Sequence, residues 1–160
     1  MSPRHAALAL LALITYIGML TAETPKKEKD EFKLTKEEQE VLDLTNQQRK
    51  SVGLAELKVN PKLFKAARDH SANMAARNRI AHTLDGQGPG ERLAAAGYRS
   101  FGWAENVAMG QSTPAEVVQS WMNSSGHRAN ILSRHVEIGI GIAATADGTR
   151  YWAQVFGNPE

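Results

Sequence analysis

Between Val136 and Val155 the chain alternates so strictly that it admits little besides a β-hairpin. Val136, Ile138, Ile140 and Ile142 take every second position, Asp147-Gly148 supplies a turn, and Tyr151, Ala153 and Val155 resume the period of two. Successive strand side chains point to opposite faces, so such a hairpin lays down an apolar face that another layer must cover. The covering layer is written upstream in a different period. Thr35 followed by Glu38 is a capping box, and the helix it opens carries Val41, Leu42, Leu44 and Thr45 before Gly53 stops it. Asn60-Pro61 opens a second helix, an N-cap followed by proline at the first helical position, with Leu63, Ala67, His70 and Met74 on its inward stripe.

The middle of the chain is less regular. Asp85-Gly86 and Gly88-Pro89-Gly90 mark a loop, and Glu91 to Ala96 reads as a short helix ended by Gly97. Within the irregular stretch from Tyr98 to Gly110, Glu105-Asn106-Val107-Ala108 reads as a short strand. Thr113-Pro114-Ala115-Glu116 is a second capping box and opens a helix through Trp121 and Met122, which Gly126 is expected to end. Helices early and strands late indicate an α+β layered domain.

Residues 1–22 read as a secretory signal peptide: a basic start at Arg4, an apolar run from Ala6 to Leu20, and the small pair Thr21-Ala22 before the expected cut. The competing reading is an uncleaved membrane anchor, for which the run is at the lower limit of spanning length. Residues 23–34 read as a charged linker with nothing to bury, and residues 35–160 as one domain whose length and apolar content suffice for a single core. The chain has no cysteine, which excludes disulfides, thiolate ligands and a cysteine-linked lipid. Without residues 1–22 the 19 Lys and Arg lose Arg4 alone and the 17 Asp and Glu lose none, leaving a net charge of +1. With no basic stripe interleaved with aromatics, nucleic acid is not an expected partner, and a monomer is expected.

His82, Glu105 and His127 fall on three separate short elements, a distribution typical of sites. Two imidazoles and a carboxylate can share a divalent metal, polarise a water or hydrogen-bond one another. An acid in the apolar neighbourhood of Glu105 needs partners, because an unpartnered buried carboxylate is costly, and His82 and His127 are the candidates. His70 reads as a satisfied core histidine, Glu116 as structural through its capping box, and Arg128 and Asn130 as structural hydrogen bonders. Trp103, Trp121 and Trp152 read as core or wall residues, so a sugar-stacking platform of exposed aromatics is not expected. A hydrolase built on Ser124 or Ser125 with His127 and Glu105 lacks a Gly-x-Ser-x-Gly elbow and any nameable oxyanion donor.

Together with Asn46-x-x-Arg49, Gly53-Leu54, Thr113-Pro114-x-Glu116-Val117-Val118-x-x-Trp121 and Tyr151-Trp152-Ala153-Gln154-Val155-Phe156-Gly157, the segments Ala104-Glu105-Asn106 and Gly126-His127-Arg128-Ala129-Asn130-Ile131-Leu132 resemble the bacterial branch of the CAP superfamily. These are the cysteine-rich secretory, antigen 5 and pathogenesis-related proteins, and the resemblance runs over roughly residues 35–160. It implies a three-layer α-β-α sandwich around a central antiparallel sheet. It also implies a ligand cleft lined by His82, Glu105, Ser124 and His127, with His82 and His127 the candidate metal ligands and Glu105 the candidate catalytic group. Ala104 stands where the family has glycine, and Ser124 where many relatives carry a second glutamate. The expected cofactor is therefore zinc or another divalent cation, weakly bound, and otherwise none.

The function so implied is a secreted, periplasmic or cell-envelope protein holding a small-molecule, lipid or envelope ligand of unspecified identity. Two alternatives stand beside it. One is a metal-assisted hydrolase in which His82 and His127 hold the ion and Glu105 is general base; the other is a non-catalytic envelope interaction module. Sterol binding, tied in eukaryotic relatives to a loop, is not expected from the short connection between Trp121 and His127.

Overall fold

The computed structural model describes residues 32–160, so the expected signal peptide and most of the expected linker lie outside the described residues. The helices are α1 (Lys36–Ser51), α2 (Pro61–Ala76), α3 (Pro89–Ala95), α4 (Pro114–Asn123) and α5 (Ser125–Ile131). The strands are β1 (Lys58–Val59), β2 (Ser100–Met109), β3 (Glu137–Ala144) and β4 (Arg150–Pro159), forming one sheet in the order β1-β3-β4-β2.

The hairpin read from the sequence is β3–β4, pairing Glu137 with Gly157 at one end and Ala144 with Arg150 at the other. Its second strand is central, because β2 pairs antiparallel on the far side with Glu105 opposite Val155 and Trp103 opposite Gly157. Tyr151 through Gly157 are consequently buried without a break, so both faces of this strand are packed. The sheet departs from the expected antiparallel arrangement at one edge, where β1 runs parallel to β3. Two residues are too few for any alternation to announce them.

Helices α2 and α3 cover one face, with Leu63, Ala67, Met74 and Leu93 against Val107, Tyr151, Ala153 and Val155. On the other face α1, α4 and α5 place Val41, Val117, Trp121 and Ile131 against Ala108, Ile138, Ile140, Trp152 and Phe156. These are the three layers of an α-β-α sandwich. The glycines between the isoleucines of β3 set how closely α2 approaches. A Cβ on Gly139 would stand 2.0 Å from the Leu63 carbonyl carbon, and one on Gly141 2.1 Å from the Ala67 carbonyl oxygen. The backbone of α2 therefore rests directly on the strand.

Local signals explain most element boundaries. The Thr35–Glu38 capping box is fully formed, and Glu38 also receives Arg68 through bonds of 2.7 and 2.6 Å. Phe32 meets Phe64 edge-on with ring centroids 5.2 Å apart, and Leu34 also packs on the core. The end of the expected linker is thus packed, contrary to the expectation that nothing in it would bury, since an aromatic beside a helix start finds the core edge open. Arg49 donates to the carbonyls of Ala55, Ile131, Ser133 and His135, which fastens α1 to the chain leading into β3.

Three expectations need correction. Helix α3 begins at Pro89 rather than Glu91, because the Glu91 carboxylate reaches back to the Gly88 amide and makes Gly88 the cap. Strand β2 is ten residues rather than four, and its pattern was unreadable because Glu105 to Ala108 are buried on both faces while its first half is open. Gly126 does not end α4; the break is Ser124, extended at φ −96° and ψ 124°, and Gly126 lies inside α5.

Candidate functional site

The site is built around a buried carboxylate. Glu105 projects from β2 toward the α2–α3 layer, and its side chain is 2% exposed. Its Oε2 accepts from Arg92 Nη2 at 2.6 Å, and its Oε1 accepts from His82 Nδ1 at 2.9 Å. His82 lies in the loop between α2 and α3 with its side chain 53% exposed. A carboxylate can only accept, so Nδ1 carries the hydrogen and the neutral ring presents Nε2 as a bare acceptor. Arg92 completes the arrangement by donating from Nη1 to the carbonyls of His82 and Gln87, both at 2.9 Å. One guanidinium thereby fixes both the loop carrying the histidine and the acid that orients it.

His70, on α2, stands behind this group with Nε2 3.9 Å from Glu105 Oε1. Nε2 also lies 2.8 Å from the Ala81 carbonyl, which can only accept, so the hydrogen is on Nε2. Nδ1 is buried without a partner, so the expected satisfied core histidine is satisfied at one nitrogen only. Burial holds its pKa below the ordinary value; Glu105 opposes that shift, and Arg92 and His82 add to it.

His127 lies on α5, which packs against β2. Asn106, whose side chain points opposite to that of Glu105, donates to the His127 carbonyl at 3.1 Å and to Gln154 at 3.1 Å. Asn130 donates to Asn106 Oδ1 at 2.8 Å and to the Glu105 carbonyl at 3.3 Å. These bonds wrap α5 around the outer edge of β2. Burial first, and the His82 ring second, hold the His127 pKa below its usual value. The expected bond between Glu105 and His127 is not made, because successive residues of a strand serve opposite faces, and it is Asn106 that turns toward α5. Arg92 takes that place.

Ser124 is half-buried at the joint between α4 and α5, and its carbonyl accepts from the Arg128 amide at 2.8 Å. Among the described residues no hydrogen bond joins Ser124 or Ser125 to His127, and Glu105 faces away, so the parts of a Ser-His-acid relay are not assembled. Glu116 is structural, its amide donating to Thr113 Oγ1 and its carboxylate accepting from the Ser112 amide. Arg128 donates to the Met122 carbonyl, a structural bond as expected. No group of three or more His, Cys, Asp or Glu among the described residues is arranged to hold a metal ion. Both Glu105 oxygens are engaged by Arg92 and His82.

Trp121 and Trp152 are core residues, but Trp103 is not. It is 45% exposed, and Phe101 two positions earlier is 82% exposed. Both lie on the first half of an edge strand, where little beyond the opening turn of α3 stands over the sheet. The residue the sequence reading missed at the site is Arg92. The available signal was one of charge: a buried acid calls for a cation, and Arg92 is placed in a short apolar helix next to Leu93.

A model of the CAP family, the cysteine-rich secretory protein family, matches residues 42–156. The chain belongs to that family. The uncharacterized protein YkwD of Bacillus subtilis is 39% identical over 123 residues, a match covering 74% of this chain and 46% of that protein. The CAP chain thus spans less than half the length of that curated relative. Among solved structures, an outer surface protein of Borrelia burgdorferi superposes with a TM-score of 0.71 at 25% identity, over 79% of this chain and 96% of that one. An extracellular SCP-domain protein of Bacillus anthracis gives 0.69 at 27% identity, over 80% of this chain and 45% of that one. No helix among the described residues is long and apolar enough to cross a membrane.

Proposed function

We propose that this CAP domain works outside the cell as a binding module, presenting His82 and His127 at the outer edge of β2 to a small polar ligand. The observation that carries this reading is the Arg92–Glu105–His82 chain of bonds, which uses a buried ion pair to aim one exposed imidazole. A buried pair of this kind is costly to assemble and adds little stability over apolar packing, so it is best understood through what it orients. Two of the solved relatives are an outer surface protein and an extracellular protein, which supports an exported role.

The same two imidazoles suit a divalent cation held weakly, with Glu105 hydrogen-bonded behind His82 rather than ligating. Bound there, an ion would supply Lewis acidity. The residues themselves supply orientation and two imidazole nitrogens. The hydrolase alternative has less support, because a general base must be free to take a proton, and both oxygens of Glu105 are already committed.

The test is nitrogen NMR of the histidine rings during titration with zinc. The reading expects His82 to hold its hydrogen on Nδ1 before zinc is added. Zinc should then move the resonances of His82 Nε2 and one His127 ring nitrogen together, with weaker binding in Glu105→Gln. A His82 ring protonated on Nε2, or zinc shifts confined to other histidines, would contradict it.

A further inference from the structure

We propose that Phe101 and Trp103 form a carbohydrate-binding platform, separate from the histidine site, that stacks on the flat C–H faces of a pyranose chain while the open edge of β2 bonds its hydroxyls. Two features display the rings. The register slips between Ser100, opposite Pro159, and Gly102, opposite Asn158, so Phe101 is the extra residue of a β-bulge and its ring is turned out to 82% exposure. Trp103 is half-exposed, and its indole lies against Gly90 at the start of α3, with ring atoms 3.6 to 3.9 Å from where a Cβ would stand. The helix supports one side of the ring and leaves the rest to solvent.

The backbone beside these rings is open. Farther along β2 the Glu105 and Val107 carbonyls are covered by Asn130 Nδ2 at 3.3 Å and Trp121 Nε1 at 3.4 Å. Backbone groups alternate along an antiparallel strand, so the N–H and C=O of Trp103 face the same outer edge. Gly157 opposite Trp103 turns its carbonyl the other way, to the Val136 amide at 3.3 Å. Among the described residues no side-chain hydrogen bond reaches the Trp103 N–H or C=O, whereas Asn130 and Trp121 bond the carbonyls farther along.

The mixture decides the occupant. An added strand would meet the bulge on one side and the covered carbonyls on the other, which leaves too short a ladder. A lipid chain cannot satisfy an N–H and a C=O, and Arg99, beside the start of β2, is paired with Glu160 at 2.8 Å rather than free for an anionic surface. A glycan offers apolar faces to the aromatics and hydroxyls that both donate and accept. A groove of about 400 Å³ lined by Asn60, Tyr98, Arg99 and Pro159 adjoins the start of β2, where Ser100 pairs with Pro159, and gives a longer chain room to continue.

The test titrates the protein with cellohexaose and chitohexaose, reading tryptophan fluorescence and calorimetric heat. Saturable binding to at least one is expected, weakened about tenfold or more by Phe101→Ala. Trp103→Leu should abolish it, whereas His82→Ala should bind as wild type does. Phe101→Ala should melt as wild type does, because its ring touches solvent. The proposal is overturned if neither oligosaccharide binds saturably or if Phe101→Ala binds undiminished. It is equally overturned if, with no oligosaccharide bound, Phe101→Ala abolishes capture by phosphatidylglycerol vesicles or a concentration-dependent dimer.

Discussion

His70 and Glu105 are buried within 3.9 Å of each other, and they show how one residue's surroundings set its pH response. Burial lowers the His70 pKa in the folded protein, while in the unfolded chain it stays near 6.5. Above that value the ring is neutral in both states and adds no pH dependence. Below it the unfolded chain takes up a proton that the folded protein resists, so stability falls as pH falls. His127 and His135 are shifted down by burial too and act in the same direction. Urea midpoints measured across a pH series should therefore decline on acidification below about 6.5, and the decline should be shallower in His70→Gln. Parallel wild-type and His70→Gln curves would contradict this assignment. The need of Glu105 for partners was legible from its apolar neighbourhood, and His82 was a correct choice. Arg92 was not legible, because nothing in a linear pattern says which helix will lie over which strand residue.

Elements whose signals are local were read well, and those whose shape depends on neighbours were not. The Thr35–Glu38 box, Asn60-Pro61 and the Asp147-Gly148 hairpin carry their instructions within a few residues, and each appears where the sequence puts it. Strand β2 is defined by β4 on one side and by α5 on its edge, so its sequence alternates poorly and only its centre was seen. The glycines of β3 sit between these cases. Their alternation with isoleucine was visible, but the seating of α2 on them was not. Gly141→Ala must push a methyl into the Ala67 backbone, and we expect a loss of about 3 kcal/mol or more by chemical denaturation. Gly126→Ala, inside α5 with open space at its Cβ, should instead be neutral or stabilising by up to about 1 kcal/mol. Equal effects of the two substitutions would show that α2 does not rest on β3 as described.

At the scale of the whole molecule, the α+β class was legible from the order of helices and strands, while the three-layer sandwich and the membership of the CAP family were legible from the family motifs spread along the chain. That His82 and His127 belong to one site was implied by the resemblance alone, because nothing in a linear pattern says how α5 lies against the edge of β2. The exposure of Trp103 and Phe101 could not be read at all, since exposure at a sheet edge depends on where the covering helices stop. What unites the molecule is a rigid frame, fastened by Arg49 and by the Asn130–Asn106–Gln154–Thr45 chain, on which the proposed two-histidine site depends. The most direct measurement is a thermal melt of the chelated protein, repeated with added zinc and run beside His82→Ala and His127→Ala. Zinc at a hundred times its dissociation constant should stabilise the wild type by about 2.7 kcal/mol, on the order of ten degrees, and each substitution should remove that shift. A wild type that melts at the same temperature with and without zinc, or variants that keep the full shift, would contradict a two-histidine site.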